Sequence, residues 1–175
     1  MRVLHVAECA GGVERYLCNF LKYSSCENIL ILSQLYEKSK LSAFADKIEI
    51  MYMKHGIGLY AIKEAFELRK KVKKYEPDIV YAHSSIAGAI TRMACLGLDV
   101  KVVYNPHGWS FNMESRKKSF FILLEKIMSH FCDAIICISE AEKISALNKK
   151  ICVNNKLHVI YNGIDIESYT AECAE

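Results

Sequence analysis

The chain lacks most of the features that would place it at a glance. Its 175 residues include only two prolines and one tryptophan, and its net charge is +3. So small a balance does not by itself imply nucleic acid as a partner. No stretch approaches the roughly 20 apolar residues that a membrane span needs. The opening apolar run, Val3 to Ala7, is too short for the core of a signal peptide, and Glu8 follows at once. The eight cysteines contain no CxxC pair, and no histidine or second cysteine pair completes a zinc site. Cys18, Cys95, Cys132 and Cys137 sit inside apolar runs, where cysteine behaves as a small hydrophobe. Reduced thiols and the absence of a leader point to the cytoplasm, and no metal is expected. There is no GxxxxGK[ST], which excludes a P-loop. There is no GxGxxG, which weakens a nicotinamide-cofactor reading.

What is present is a regular change of period. Half the residues are apolar, 52%, enough for the core of one domain. Short apolar runs of strand length recur at Val3–Ala7, Asn28–Leu32, Ile48–Met53, "DIVYAH", "VKVVYN", "AIICIS" and "KLHVI". Between them lie stretches of helical spacing. Val13, Leu17, Phe20 and Leu21 mark one face; Leu59, Ile62, Phe66 and Val72 mark another, with Pro77 closing that helix. "SSIAGAITRMACLG" reads as a small-residue helix ending at Gly97. Phe120, Leu124, Ile127 and Phe131 form a stripe expected to pack on the sheet. Ser139 is placed as an N-cap, with Glu140 and Glu142 in the first turn. Strands apolar on both faces, alternating with helices, predict an α/β domain. It is a single doubly wound unit with a mostly parallel sheet, Rossmann-like, over residues 1–165. Residues 166–175 read as a tail or a shortened linker.

In such sheets ligands bind beyond the carboxyl ends of the strands. That rule selects Glu8–Gly12, His83–Ser85, Pro106–Phe111 and Ser139–Glu140. Gly11-Gly12 either opens a helix whose free N–H groups face an anion, or simply makes a tight turn. His107, between Pro106 and Gly108, either meets a substrate hydroxyl or carbonyl, or bonds a loop carbonyl. His83 and His5 read as satisfied buried histidines. The basic residues Lys63 to Lys74 read as a solvated helix face. Arg116-Lys117-Lys118 beside Phe120-Phe121 would also suit peripheral contact with an anionic membrane, at its inner face, but those aromatics are expected in the core.

Five segments, "VLHVAECAGGVERYL", "DIVYAHSSIAG", "YNPHGWSF", "CDAIICISEAEK" and "VIYNGID", occur in this order. Together they resemble the N-terminal, acceptor-side domain of family 4 retaining glycosyltransferases of the bacterial capsular and exopolysaccharide type. The resemblance implies one half of a two-domain GT-B fold. It implies transfer of a sugar from a nucleotide-sugar, a substrate rather than a cofactor, to a glycan or lipid-linked acceptor. By resemblance Gly11 and Gly12 approach the donor diphosphate and His107 is the catalytic histidine near the reacting carbon. Glu14, His83, Ser84, Gly108, Trp109, Phe111, Ser139 and Asn162 fall on the acceptor side of the cleft. Only ten residues follow Asp165, so the donor-binding C-terminal domain is expected to be missing and the chain inactive alone. The rival expectation is a non-catalytic sugar-, nucleotide- or protein-binding module of the same fold. A phosphoacceptor domain is disfavoured because Glu8 stands alone at the end of the first strand.

Overall fold

The computed structural model describes residues 1–56 and 58–165. The segment read as a tail, 166–175, lies outside the described residues. Seven strands form one sheet: β1 (Arg2–Ala7), β2 (Glu27–Leu32), β3 (Lys47–Ile50), β4 (Ile79–His83), β5 (Lys101–Asn105), β6 (Ala134–Cys137) and β7 (Leu157–Val159). Every pairing is parallel and the order is β3-β2-β1-β4-β5-β6-β7. Among the described residues six α-helices accompany them: α1 (Gly12–Lys22), α2 (Lys38–Leu41), α3 (Tyr60–Tyr75), α4 (Ser85–Ala94), α5 (Lys118–Met128) and α6 (Glu140–Asn148). The doubly wound α/β architecture read from the alternation is the observed one. Only the short α2 had no signal, since four residues carry no period.

The order explains what each face meets. Right-handed crossovers put α1 and α2 on one face while the chain runs outward to β3. The chain then reverses, so α3 to α6 fall on the other face. That second face carries the large core of Leu4, Val6, Ile29, Ile31, Val80, Ala82, Val102, Tyr104 and Ile135, under Leu68, Val72, Ile90 and Ala146. On the first face Val13, Leu17 and Leu21 of α1 cover Ala7, Leu30 and Leu32. Among the described residues no helix beyond α1 returns over β4, β5 and β6. Val3, Ile79, Tyr81, Val103 and Ile136 there line an open apolar groove of about 530 Å³, edged by Phe20, Tyr23, Ile160 and Ile164.

Two helices turn differently from their sequence pattern. In α3 the buried residues are Glu64, Ala65, Leu68, Val72 and Tyr75, whereas Leu59, Ile62 and Phe66 are exposed. The Glu64 carboxylate accepts the Lys54 N–H at 2.9 Å, which draws that side of the helix inward. Along α5 and the turn after it most of the expected stripe faces out: Phe120 is 50% exposed, Ile127 51% and Phe131 41%, with Leu123 beside them at 57%, while Leu124 is half-buried. Glu125 and Met128 are buried instead. Glu125 faces inward to an ion pair. Glu125 Oε2 lies 2.9 Å from Arg92 Nη1, and its Oε1 accepts from Tyr104 Oη at 3.0 Å. A buried guanidinium needs that carboxylate more than the sheet needs another phenyl ring.

Candidate functional site

The carboxyl ends of β1, β4 and β5 converge on one polar cluster beside the N-terminal half of α1. Gly11 is the N-cap of α1, with φ 78° and ψ −116°, a conformation open to glycine and strained for other residues. Gly12 is different. Its φ is not positive, and a Cβ there would meet nothing within 4 Å. The turn therefore explains Gly11 but not Gly12. No side chain caps α1, whereas Ser84 caps α4 and Ser139 caps α6 through their hydroxyls. The first amides of α1 are left for water or an anion.

Gly12→Ala is accordingly expected to leave the melting temperature unchanged or raise stability by about 0.5–1 kcal/mol, since alanine is a better helix former. Gly11→Ala should lower stability through its positive φ. Thermal melts of the two variants side by side check this. Equal losses at both positions would make both glycines structural.

β4 ends in His83, fully buried, and after it comes Ser84, whose φ of 87° and ψ of 159° are seldom adopted by residues other than glycine. After β5 come His107, with φ 49°, and Gly108, with φ 106°. The His107 N–H donates to Asn105 Oδ1 at 3.0 Å, which fixes the turn. Of the four non-glycine residues with positive φ among the described residues, Ser84 and His107 lie at this edge of the sheet, while Glu76 and Lys150 follow helices. His107 Nε2 lies 3.1 Å from His83 Nδ1, and the His107 ring meets the Tyr16 ring edge-on at 4.8 Å. Tyr16 Oη is 2.9 Å from Tyr81 Oη, to which Asn105 Nδ2 donates at 3.4 Å. Burial lowers the pKa of His107 to about 4 and that of His83 well below the usual histidine value. Both imidazoles are neutral at neutral pH.

The other sequence-predicted positions divide. Gly12, His83, Ser84, His107 and Gly108 lie at the ends of these three strands. Glu14 pairs instead with Lys40 at 3.7 Å, on the side of α1 that faces α2. Trp109 and Phe111 are core residues, 1% and 0% exposed and stacked at 5.1 Å. Trp109 Nε1 donates to the Glu142 carbonyl at 3.0 Å, so these rings anchor the histidine loop from below and present no face to solvent. Ser139 spends its hydroxyl on the Glu142 N–H at 3.2 Å. Asn162 is exposed beyond β7, in the stretch that runs back to α1, where Asn19 Nδ2 donates to the Gly163 carbonyl at 3.4 Å. Tyr16, Tyr81 and Asn105 were not singled out from the sequence; His5, read there as a satisfied buried histidine, is buried and hydrogen-bonded to Asn28 and His83. Tyr16 had a signal, since it stands one helical turn after Gly12.

Fold and site together define a doubly wound, Rossmann-like α/β domain whose polar edge lies at the carboxyl ends of its central strands. More narrowly, the chain belongs to Glycosyltransferase Family 4, which it matches over residues 10–168. It is 30% identical over 177 residues to a protein of Klebsiella pneumoniae described as an uncharacterized 41.2 kDa protein in the cps region, covering 95% of this chain and 48% of that one. It is 32% identical over 111 residues to an Escherichia coli UDP-Gal:alpha-D-GlcNAc-diphosphoundecaprenol alpha-1,3-galactosyltransferase, covering 62% of this chain and 29% of that one. The crystal structure of Anabaena HepE in complex with UDP superposes with a TM-score of 0.75 at 20% identity, over 97% of this chain and 46% of that one. The chain spans at most about half the length of these relatives.

Proposed function

We propose that this chain is the acceptor-side domain of a sugar transferase of polysaccharide biosynthesis. The assembled enzyme moves a sugar from a nucleotide-sugar to a glycan or lipid-linked acceptor, with retention of anomeric configuration. Residues 1–165 form the domain and 166–175 lead towards the donor-binding half, supplied by further chain or by a second polypeptide. The observation that carries this reading is the pairing of His107 with the uncapped start of α1, where Gly12 leaves room that the fold does not require. The diphosphate of the donor lies against the α1 amides, and His107 meets the transferred sugar. Helix amides and basic side chains bear the leaving charge, so no metal or cofactor is assigned. The test is transfer of labelled sugar by the enzyme assembled with its donor-binding half, run beside the isolated chain. Robust transfer by the isolated chain would overturn the division of labour.

The outward face of α5 supports membrane contact as part of this function. Met113, Phe120, Leu123, Ile127 and Phe131 are exposed there, next to Arg116, Lys117 and Lys118. Among the described residues no helix is long and apolar enough to cross a membrane; the proposed contact is peripheral, at the cytoplasmic face where a lipid-linked acceptor would be held. Basic residues at an anionic surface contribute about 1 kcal/mol each. Reversing two of them, Lys117→Glu with Lys118→Glu, should lower co-sedimentation with phosphatidylglycerol vesicles roughly tenfold or more. Phosphatidylcholine vesicles should bind weakly throughout. Equal binding of the variant and the parent to anionic vesicles would remove this face from the proposal.

A further inference from the structure

Behind His107 a row of hydrogen bonds runs back across the sheet. Asn28 Oδ1 lies 3.2 Å from His5 Nε2, His5 Nδ1 lies 3.1 Å from His83 Nε2, and His83 Nδ1 lies 3.1 Å from His107 Nε2. All four side chains stand on the face that carries α1. Parallel register brings them together: His5 is opposite Tyr81, and His83, two residues on, points the same way. Phe20 and Tyr16 of α1 close over the row, with ring centroids 5.4 Å from His5 and 5.6 Å from His83.

Each link joins two polar atoms and so needs one donor and one acceptor. The deep end sets the direction. Asn28 Nδ2 donates to the Cys26 carbonyl at 2.8 Å and to Ser24 Oγ at 3.1 Å. A carbonyl only accepts, so the amide nitrogen must face it and Oδ1 must face His5. His5 therefore carries its proton on Nε2. Burial holds its pKa down at about 4, so the ring is neutral with one N–H, and its Nδ1 accepts. His83, neutral as well, must then donate from Nε2 and accept at Nδ1. His107 in turn donates from Nε2. The reverse polarity would set the Asn28 oxygen against a bare His5 nitrogen, or against the Cys26 carbonyl. Either arrangement buries two facing acceptors with no proton between them.

We propose that Asn28, His5 and His83 are positioning residues that lock His107 as its Nε2–H tautomer and leave Nδ1 bare. Nδ1 has no hydrogen-bond partner among the described residues and is not one of the buried unpartnered atoms, so it reaches solvent. The row ends in an amide, which neither takes up nor passes on a proton. It is a lock and not a proton conduit. A bare imidazole nitrogen accepts, so its complement is a hydroxyl that donates, as on a sugar ring. A phosphate or carboxylate oxygen would set two acceptors face to face. This last step, from tautomer to sugar hydroxyl, rests on the sugar-transfer reading; the tautomer itself does not.

The experiment is long-range proton–nitrogen correlation NMR of protein labelled with [15N]histidine, at pH 7 and without substrate. His107 is expected to show a protonated Nε2 and an unprotonated Nδ1. In His83→Phe and in Asn28→Leu the two nitrogen shifts should move towards each other as the tautomers mix. A wild-type His107 protonated on Nδ1, or mixed, overturns the proposal, and this spectrum decides even where a variant does not fold. Folded variants with unchanged His107 shifts would also overturn it. Failure of the sugar-transfer reading alone would leave the spectrum as expected while the assembled wild-type enzyme transferred no sugar.

Discussion

His107→Ala is expected to lower sugar transfer by the assembled enzyme about a hundredfold while leaving the domain folded. The rate estimate follows from positioning: a displacement of about 1 Å at a reacting centre costs roughly that factor. The folding estimate follows from what the side chain does not do. His107 is half-buried at the rim, and the turn beneath it is held by its own N–H on Asn105 and by the stacked Trp109 and Phe111. Its backbone works against stability. A φ of 49° in a residue with a Cβ costs about 1 kcal/mol or more. His107→Gly relieves that strain, which offsets the lost hydrogen bond to buried His83 at 3.1 Å, so it should fall within about 1 kcal/mol of the parent and be just as deficient in transfer. Thermal melts and initial rates on the two variants separate the cases. A Gly variant that melts well below the parent would mean that the ring holds the loop, and the strain would then have no functional reading.

Much of this fold could be read from period alone, because a buried parallel strand and an amphipathic helix repeat differently along the chain. The ligand edge could be read as well, since Gly11-Gly12, His83-Ser84 and Pro106-His107-Gly108 each follow an apolar run. What could not be read was register. His5 looks like one polar residue in a strand until β1 and β4 are paired, and only then does it stand beside His83. Trp109 and Phe111 share the histidine loop, yet they point into the core, because a loop has no period to assign faces. Side chains on α3 and α5 were misassigned for another reason. Apolar spacing there marks the exposed side, and the buried side carries Glu64 and Glu125, whose partners lie 10 and 33 residues away. A pattern that scores carboxylates as exposed cannot see that choice.

Glu125→Ala should cost about 3–5 kcal/mol, the usual loss when one member of a buried ion pair is removed. The carboxylate holds two groups at once: Arg92, 1% exposed, through Nη1 at 2.9 Å, and the Tyr104 hydroxyl at 3.0 Å. Arg92 keeps one further hydrogen bond, from Nε to the Gly88 carbonyl at 2.8 Å, and its guanidinium lies 4.1 Å from the centre of the Tyr104 ring. Neither contact neutralises its charge. Since domains are stable by about 5–15 kcal/mol, the loss is a large share of the whole. The joint replacement Arg92→Met, Glu125→Leu and Tyr104→Phe should fall within about 1 kcal/mol of the parent or above it, because it removes every partner together. Urea unfolding of the single and triple variants measures both. The triple variant also frees α5 to choose its face by apolarity alone. If the pair is what turns Phe120, Ile127 and Phe131 outward, the triple variant should bury them and lose binding to anionic vesicles while remaining folded. A triple variant that binds vesicles as the parent does would show that the outward face of α5 is fixed by the rest of its packing, and that the ion pair follows the orientation of the helix instead of setting it.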